Sequence, residues 1–207
     1  MANTLLKLNS KKIILRSLKR DDIDKRLRWK KYRDPLYAHY NLDEMTRAQK
    51  RQWYVKRITN PKMIYFAIDN LKGDLLGFLN LYAIKRDKKR AKLGIYLRPE
   101  YVNRHYGSEA IATLLPYYFE IMRFKELRLD VASHNLRAIK CYQKCGFEFV
   151  RTFYNKHDPR NILDIFGNAH FKSIRKYFKK QRNTIMVQFK EIRITRRMWL
   201  KLSGSSM

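Results

Sequence analysis

Two stretches of this chain carry residue types at spacings that can do chemistry. The first, L-R-P-E-Y-V-N-R-H-Y-G-S-E-A from Leu97 to Ala110, reads as a strand that stops, turns and opens a helix. The main-chain N–H groups of such a turn have no partner inside the helix, and the helix dipole adds positive potential, so the turn can hold an anion. The second, S-H-N-L-R-A-I-K-C-Y-Q-K-C-G-F from Ser133 to Phe147, reads as a short helix closed by Gly146. That helix presents Asn135, Ala138 and Tyr142, the last one turn beyond Ala138 on the same side. Cys141 and Cys145 lie on other faces and read as packing residues. The histidines, His39, His105, His134, His157 and His170, are scattered without metal-ligand spacing, so no metal site is expected.

Together these residues resemble the acetyl-CoA-binding core of the GNAT superfamily of N-acetyltransferases, and most of all its branch of ribosomal-protein N-terminal and polyamine or antibiotic acetyltransferases. The resemblance implies that Asn135 hydrogen-bonds the pantetheine arm, that Ala138 lets the cosubstrate pass close to the helix, and that Tyr142 protonates the departing thiolate. A phenol with a pKa near 10 stays protonated at neutral pH and is close in acidity to an alkyl thiol, which suits that task. It further implies that the pantetheine amides pair with the strand ending at Ile95, Tyr96 and Leu97, as an added peptide strand would. The family's turn reads Arg/Gln-x-x-Gly-x-Gly/Ala and binds the pyrophosphate. Here the matching stretch is Val102-Asn103-Arg104-His105-Tyr106-Gly107, followed by Ser108. Only Gly107 is kept; His105 stands at the middle glycine and is among the residues that tolerate φ > 0. The implied cosubstrate site is therefore Ile95, Tyr96, Leu97, Asn103, Arg104, His105, Tyr106, Gly107, Ser108, Asn135, Ala138 and Tyr142, with acetyl-CoA as cosubstrate and Tyr142 as the catalytic acid. The glutamate common in relatives near the start of the strand is replaced by Lys92. Glu44, His39 and Tyr82 are candidates on the acceptor side, but each reads as a surface or packing residue, and no general base is assigned.

Composition sets the outer bounds. The chain has 207 residues, 45% of them hydrophobic, which is enough for a sizeable core. Two cysteines make neither a disulfide framework nor a zinc site, and a reducing cytoplasm fits that usage. The N-terminus has no apolar run of signal-peptide length, and no stretch approaches a membrane span, so a soluble cytoplasmic protein is expected. Against 18 acidic residues stand 47 Lys and Arg, a net charge of +29. Residues 103–150, which carry both motifs, hold 7 basic and 5 acidic side chains, so the excess lies on the flanks. A field of that sign attracts polyanions and repels polycations.

The hydrophobic pattern alternates between strand and helix. It predicts a strand at 12–18, an amphipathic helix at 19–32 and a Thr46-capped helix to about Ile58. Strands at 63–69, 75–85 and 90–98 follow, then a helix at 107–123 bent by Pro116. A strand at 126–133, the motif helix at 135–144 and strands at 147–154 and 184–195 complete the set. Phe171, Ile174 and Phe178 recur among lysines and arginines, which predicts a basic amphipathic helix inserted within 157–182. The expected fold is α/β: a mixed, mostly antiparallel central sheet of about six to seven strands flanked by helices, in one domain over 1–207 with its core at about 10–200.

The expected activity is transfer of an acetyl group from acetyl-CoA to a primary amine by direct attack in a ternary complex. On charge, a protein N-terminus or amino sugar ranks above a polyamine as acceptor. Two other classes stand beside it. One is a nucleic-acid- or ribosome-associated binding module, suggested by Arg28-Trp29-Lys30-Lys31-Tyr32 and by 175–180, where aromatics and cations interleave. The other is a non-catalytic acyl-CoA sensor. A homodimer is compatible with each.

Overall fold

A computed structural model describes residues 6–156 and 164–204. Nine strands form one sheet in the order β1-β2-β3-β4-β5-β6-β9-β7, with β8 on β9. In chain order these are β1 Lys7–Asn9, β2 Ile13–Ser17, β3 Ile64–Asn70, β4 Leu75–Lys85, β5 Arg90–Leu97, β6 Glu126–Ala132, β7 Glu148–Lys156, β8 Phe178–Gln181 and β9 Thr184–Thr195. The expected mixed, mostly antiparallel sheet flanked by helices is present, and the short strands β1 and β8 extend it.

The helices are α1 Asp22–Leu27, α2 Arg47–Ile58, α3 Tyr106–Pro116, α4 Leu136–Lys144 and α5 Arg196–Gly204. On one face of the sheet, Ile111, Leu114 and Ile139 of α3 and α4 pack over Leu79, Leu127 and Ile192. On the other, Ile23 of α1 and Trp53 of α2 close over Ala67 and Phe78. Thr46 and Gln49 form a reciprocal capping box at the start of α2, satisfying two amide donors there. α1 is shorter than the predicted helix over 19–32. Its start is set by Asp22, which accepts the Lys19 N–H and two hydrogen bonds from Arg16. Its end frees Trp29 to pack on Phe78. Beyond it, Pro35 keeps Asp34 extended, and Asp34 caps a single 3-10 stretch, Pro35–Tyr40.

The predicted bend after Pro116 takes a defined form. The regular helix ends there and a wider turn, Tyr117–Ile121, follows with the Met122 N–H bonded to the Tyr117 carbonyl.

The basic helix predicted within 157–182 is corrected by the structure. Residues 157–163 lie outside the described part; from Asp164 onward the chain makes two one-turn 3-10 segments, Ala169–Phe171 and Arg175–Tyr177, and then β8. Phe171 and Phe178 are buried as their spacing implied, against Ile165 and Val187. Separate short turns bring them there, because β8 claims Phe178 for pairing with Val187.

One feature of the sheet positions everything that follows. β5 and β6 are parallel neighbours joined through α3, and they pair only from Arg90 to Lys92 against Glu126 to Arg128. Beside this point β4 has a register shift between Tyr82 and Lys85, with Ala83 at φ 48°. A bulge bends and twists its strand. β5 follows β4 away from β6 and the sheet opens into a wedge.

Across β6, β9 and β7 the sheet is fixed by a carboxylate ladder. Glu191 accepts from Arg128 at 2.6 Å and from Arg151 at 2.8 Å, with its side chain 4% exposed. Burial alone would raise its pKa, but the hydrogen bonds and charges of Arg151 and Arg128 outweigh it and hold the carboxyl below its ordinary value. A depressed pKa contributes stability above the unfolded value, about 4.3, that is lost as pH falls through the folded one. Glu191→Gln should therefore lower stability at neutral pH and flatten its decline below about pH 4.5, read by urea titrations across pH.

Candidate active site

The open side of β5 follows from its pairing with β4. The Arg98 N–H donates to the Leu76 carbonyl, and Tyr96 pairs with Phe78 two residues earlier. Hydrogen-bonded pairs alternate in an antiparallel ladder, so the main-chain groups of Ile95 and Leu97 point away from β4, into the wedge. The main-chain groups of Tyr96 are bonded to β4, and its hydroxyl accepts from Arg26 at 2.8 Å on the α1 side.

At the end of β5 the turn runs through Asn103 and His105, both at φ 64°. His105 thus takes the left-handed conformation expected at the family's glycine position. Glu109 is the first residue of α3 whose N–H is paired, onto the His105 carbonyl, so the amides of Tyr106, Gly107 and Ser108 precede the hydrogen-bonded ladder. Gly107 leaves the approach to them free of a side chain. The side chains of Arg104 and Tyr106 turn toward Tyr101 instead, at 5.9 Å and 5.7 Å, leaving only their main chain for the turn.

α4 forms the opposite wall. The Asn135 side chain accepts the Ala138 N–H at 3.2 Å, so the residue expected to meet a ligand also caps its own helix. A cavity of about 290 Å³ lies between the walls, lined by Ile95, Tyr96, Leu97, Asn103, His105, Gly107, Ser108, Asn135, Ala138 and Tyr142. Ten of the twelve residues singled out from sequence therefore share one cavity.

A second cavity of about 250 Å³ adjoins it, and Tyr40, Asn135 and Tyr142 line both. Its other walls are Leu36, Tyr37 and His39 from the 3-10 stretch, Asp130 to Ala132 and His134 around the end of β6, Lys156 at the end of β7, and Val187 and Phe189 of β9. Loss of solvent, reinforced by Tyr40 and the two cysteines, pushes the Tyr142 phenol well above its ordinary pKa, so it keeps its proton. Asp130 is bonded through Oδ2 to Lys92 at 2.6 Å, while its buried Oδ1 has no hydrogen-bond partner. The next strand thus sets a carboxylate directly beside Lys92. Sequence reasoning missed Asp130, which occupies a polar position in the regular alternation of Glu126–Ala132 and so carries no signal of its own.

The aromatics that suggested a nucleic-acid platform point elsewhere. Trp29 packs on Phe78, Tyr32 lies in the wall of the larger cavity, and Phe178 is buried. Among the described residues no group of three or more His, Cys, Asp or Glu side chains is placed to hold a metal ion. No helix of the described part is long and apolar enough to cross a membrane.

The family model for the acetyltransferase (GNAT) domain matches residues 12–148, from β2 to the start of β7. The chain belongs to the GNAT family. It is similar to spermidine N(1)-acetyltransferase of Vibrio cholerae, 23% identical over 147 residues, which is 71% of this chain and 76% of the relative. The Escherichia coli K12 spermidine N(1)-acetyltransferase is 25% identical over 136 residues, covering 64% and 68% of the two chains. The crystal structure of the Vibrio cholerae spermidine N-acetyltransferase with CoA and spermine superposes with a TM-score of 0.68 at 19% identity, over 92% of this chain and 99% of that one. This GNAT protein is an acetyl-CoA-dependent N-acetyltransferase acting on amines. These relatives are named for acetylating spermidine, a polyamine and so the acceptor class that net charge alone ranks last. At physiological salt a field decays over about 8 Å, so the lining of a cleft outweighs the sum over a surface.

The left-handed turn gives a direct test. His105→Val should cost roughly 1 kcal/mol in a denaturant titration, because a β-branched side chain is poorly accommodated at positive φ, whereas His105→Gly should be at least as stable as the parent.

Proposed function

We propose that this enzyme acetylates a primary amine of a polyamine, with acetyl-CoA in the larger cavity and the amine in the smaller one. The supporting observation is the junction: two cavities meet at a protonated phenol, Tyr142, with an unpaired carboxylate oxygen on the far side. The residues present fit an acyl-CoA. Ile95 and Leu97 offer main-chain groups to an amide-bearing arm, and the amides of 106–108 face the place a diphosphate would take. When bound, the cosubstrate supplies the activated acetyl group as a thioester.

The chain's own residues then have separable tasks. The Asp130 carboxylate, held by Lys92 in the wall of the smaller cavity, provides an ion-pair partner for an entering ammonium. Holding amine and thioester on either side of Tyr142 makes the attack effectively intramolecular. The attacking amine first gives its proton to water, its nitrogen then forms the bond to the acetyl carbon as the carbon–sulfur bond breaks, and the second N–H proton leaves to solvent. The Tyr142 hydroxyl delivers a proton to the sulfur leaving group, and its raised pKa keeps the phenol in the acid form over the working pH range.

Thiol release measured with acetyl-CoA and a panel of spermidine, spermine, glucosamine and a short unblocked peptide should be fastest with a polyamine. Tyr142→Phe should reduce kcat about 100-fold with little change in either KM, and Asp130→Asn should raise the amine KM about tenfold while leaving that for acetyl-CoA unchanged. Turnover of the peptide or amino sugar without the polyamines would contradict the acceptor assignment.

A further inference from the structure

The open edge of β5 is not bare. The Tyr32 hydroxyl donates to the Leu97 carbonyl at 2.5 Å. Leu97 is one of the two residues whose main chain faces the wedge. A neighbouring strand-like ligand lies about 4.8 Å away, and a hydroxyl bonded to this oxygen fills the gap that the ligand's N–H must enter.

Tyr32 is also tied to the second cavity. Its N–H donates to Asn41 Oδ1 at 2.7 Å, and Asn41 Nδ2 donates back to the Tyr32 carbonyl at 3.1 Å, closing residues 32–41 into a loop. Within that loop Tyr37 and Tyr40 line the smaller cavity, and their rings pack on Tyr32 at 6.0 Å and 5.7 Å. One phenol therefore touches the cosubstrate strand with its oxygen and the acceptor wall with its ring and backbone. Burial pushes its pKa up to about 12, so it remains a donor at any working pH. The chain between Arg28 and Asp34 has no helix or strand to hold it in one place.

We infer that Tyr32 is a positioning residue that couples the two cavities: an amide donor taking the Leu97 carbonyl displaces the Tyr32 hydroxyl, and the 32–41 loop then resets the acceptor wall. This rests on the proposed path of the cosubstrate along β5. Its consequence is a coupling of affinities: the amine binds more tightly once the cosubstrate has released Tyr32.

Titration calorimetry of CoA, and of spermidine with and without CoA, tests the coupling on the parent and on Tyr32→Phe, which keeps the ring and removes the donor. In the parent, CoA should tighten spermidine binding about fivefold, the equivalent of roughly one net hydrogen bond. Tyr32→Phe should bind CoA about threefold to tenfold tighter, because a competitor for Leu97 is gone, and CoA should then change spermidine affinity less than about twofold. Asn41→Ala, which opens the loop but keeps the hydroxyl, should bind CoA as the parent does and lose the enhancement. CoA binding that is no tighter in Tyr32→Phe overturns the inference whatever the amine does. Failure of the parent to bind CoA sinks the cosubstrate path as well, and so the two failures are distinguishable.

Discussion

A missing set of hydrogen bonds organises this molecule. β5 and β6 are covalently linked neighbours that pair over three residues and then part, leaving the Ile95 and Leu97 main-chain groups with no strand to bond. An unpaired buried backbone group costs about 1–3 kcal/mol, so such an opening persists only if the surrounding packing enforces it. The enforcement is visible on both sides. β4 carries the bulge that turns β5 outward, and the apolar faces of α3 and α4 fill the space above the diverging strands. The wedge then has two fates for its polar edge, an internal donor such as Tyr32 or an amide-bearing ligand.

The same opening explains why one phenol stands where the two cavities meet. α4 crosses the wedge, so a side chain on its inner face reaches both cavities, and Tyr142 is that side chain. Removing it from solvent raises its pKa, so the phenol holds its proton until a stronger base, such as a departing thiolate beside it, develops. Electrostatics at the acceptor side are equally local. A protein of net charge +29 nonetheless keeps a carboxylate in the wall of a cleft, Asp130, with one oxygen held by Lys92 and the other without a hydrogen-bond partner. Surface charge governs encounter at long range, while recognition is set within the first few ångströms.

Much of the fold was legible because local signals agreed with tertiary packing. β4 and β9 occupy the residues their alternation predicted, 75–85 and 184–195, and the Thr46 cap opens α2 where expected. The inserted segment misled for a physical reason: apolar residues three and four apart mark burial on one side, and successive 3-10 turns followed by a strand achieve that as well as a helix does. The cosubstrate cavity was readable since its residues lie in two compact motifs between Ile95 and Tyr142. The acceptor cavity was not. Its walls come from 36–40, 130–135, Tyr142, Lys156 and 187–189, segments that only the completed sheet brings together, and no spacing in the chain announces their meeting.

The account stands on the edge of β5 being the seat of the cosubstrate's amide arm. Backbone amide hydrogen exchange, followed by NMR with and without CoA, reads that edge directly. Strong slowing at Ile95 and Leu97, accompanied by slowing at Gly107 and Ser108, is the predicted result. Unchanged exchange at Ile95 and Leu97 under saturating CoA would contradict it.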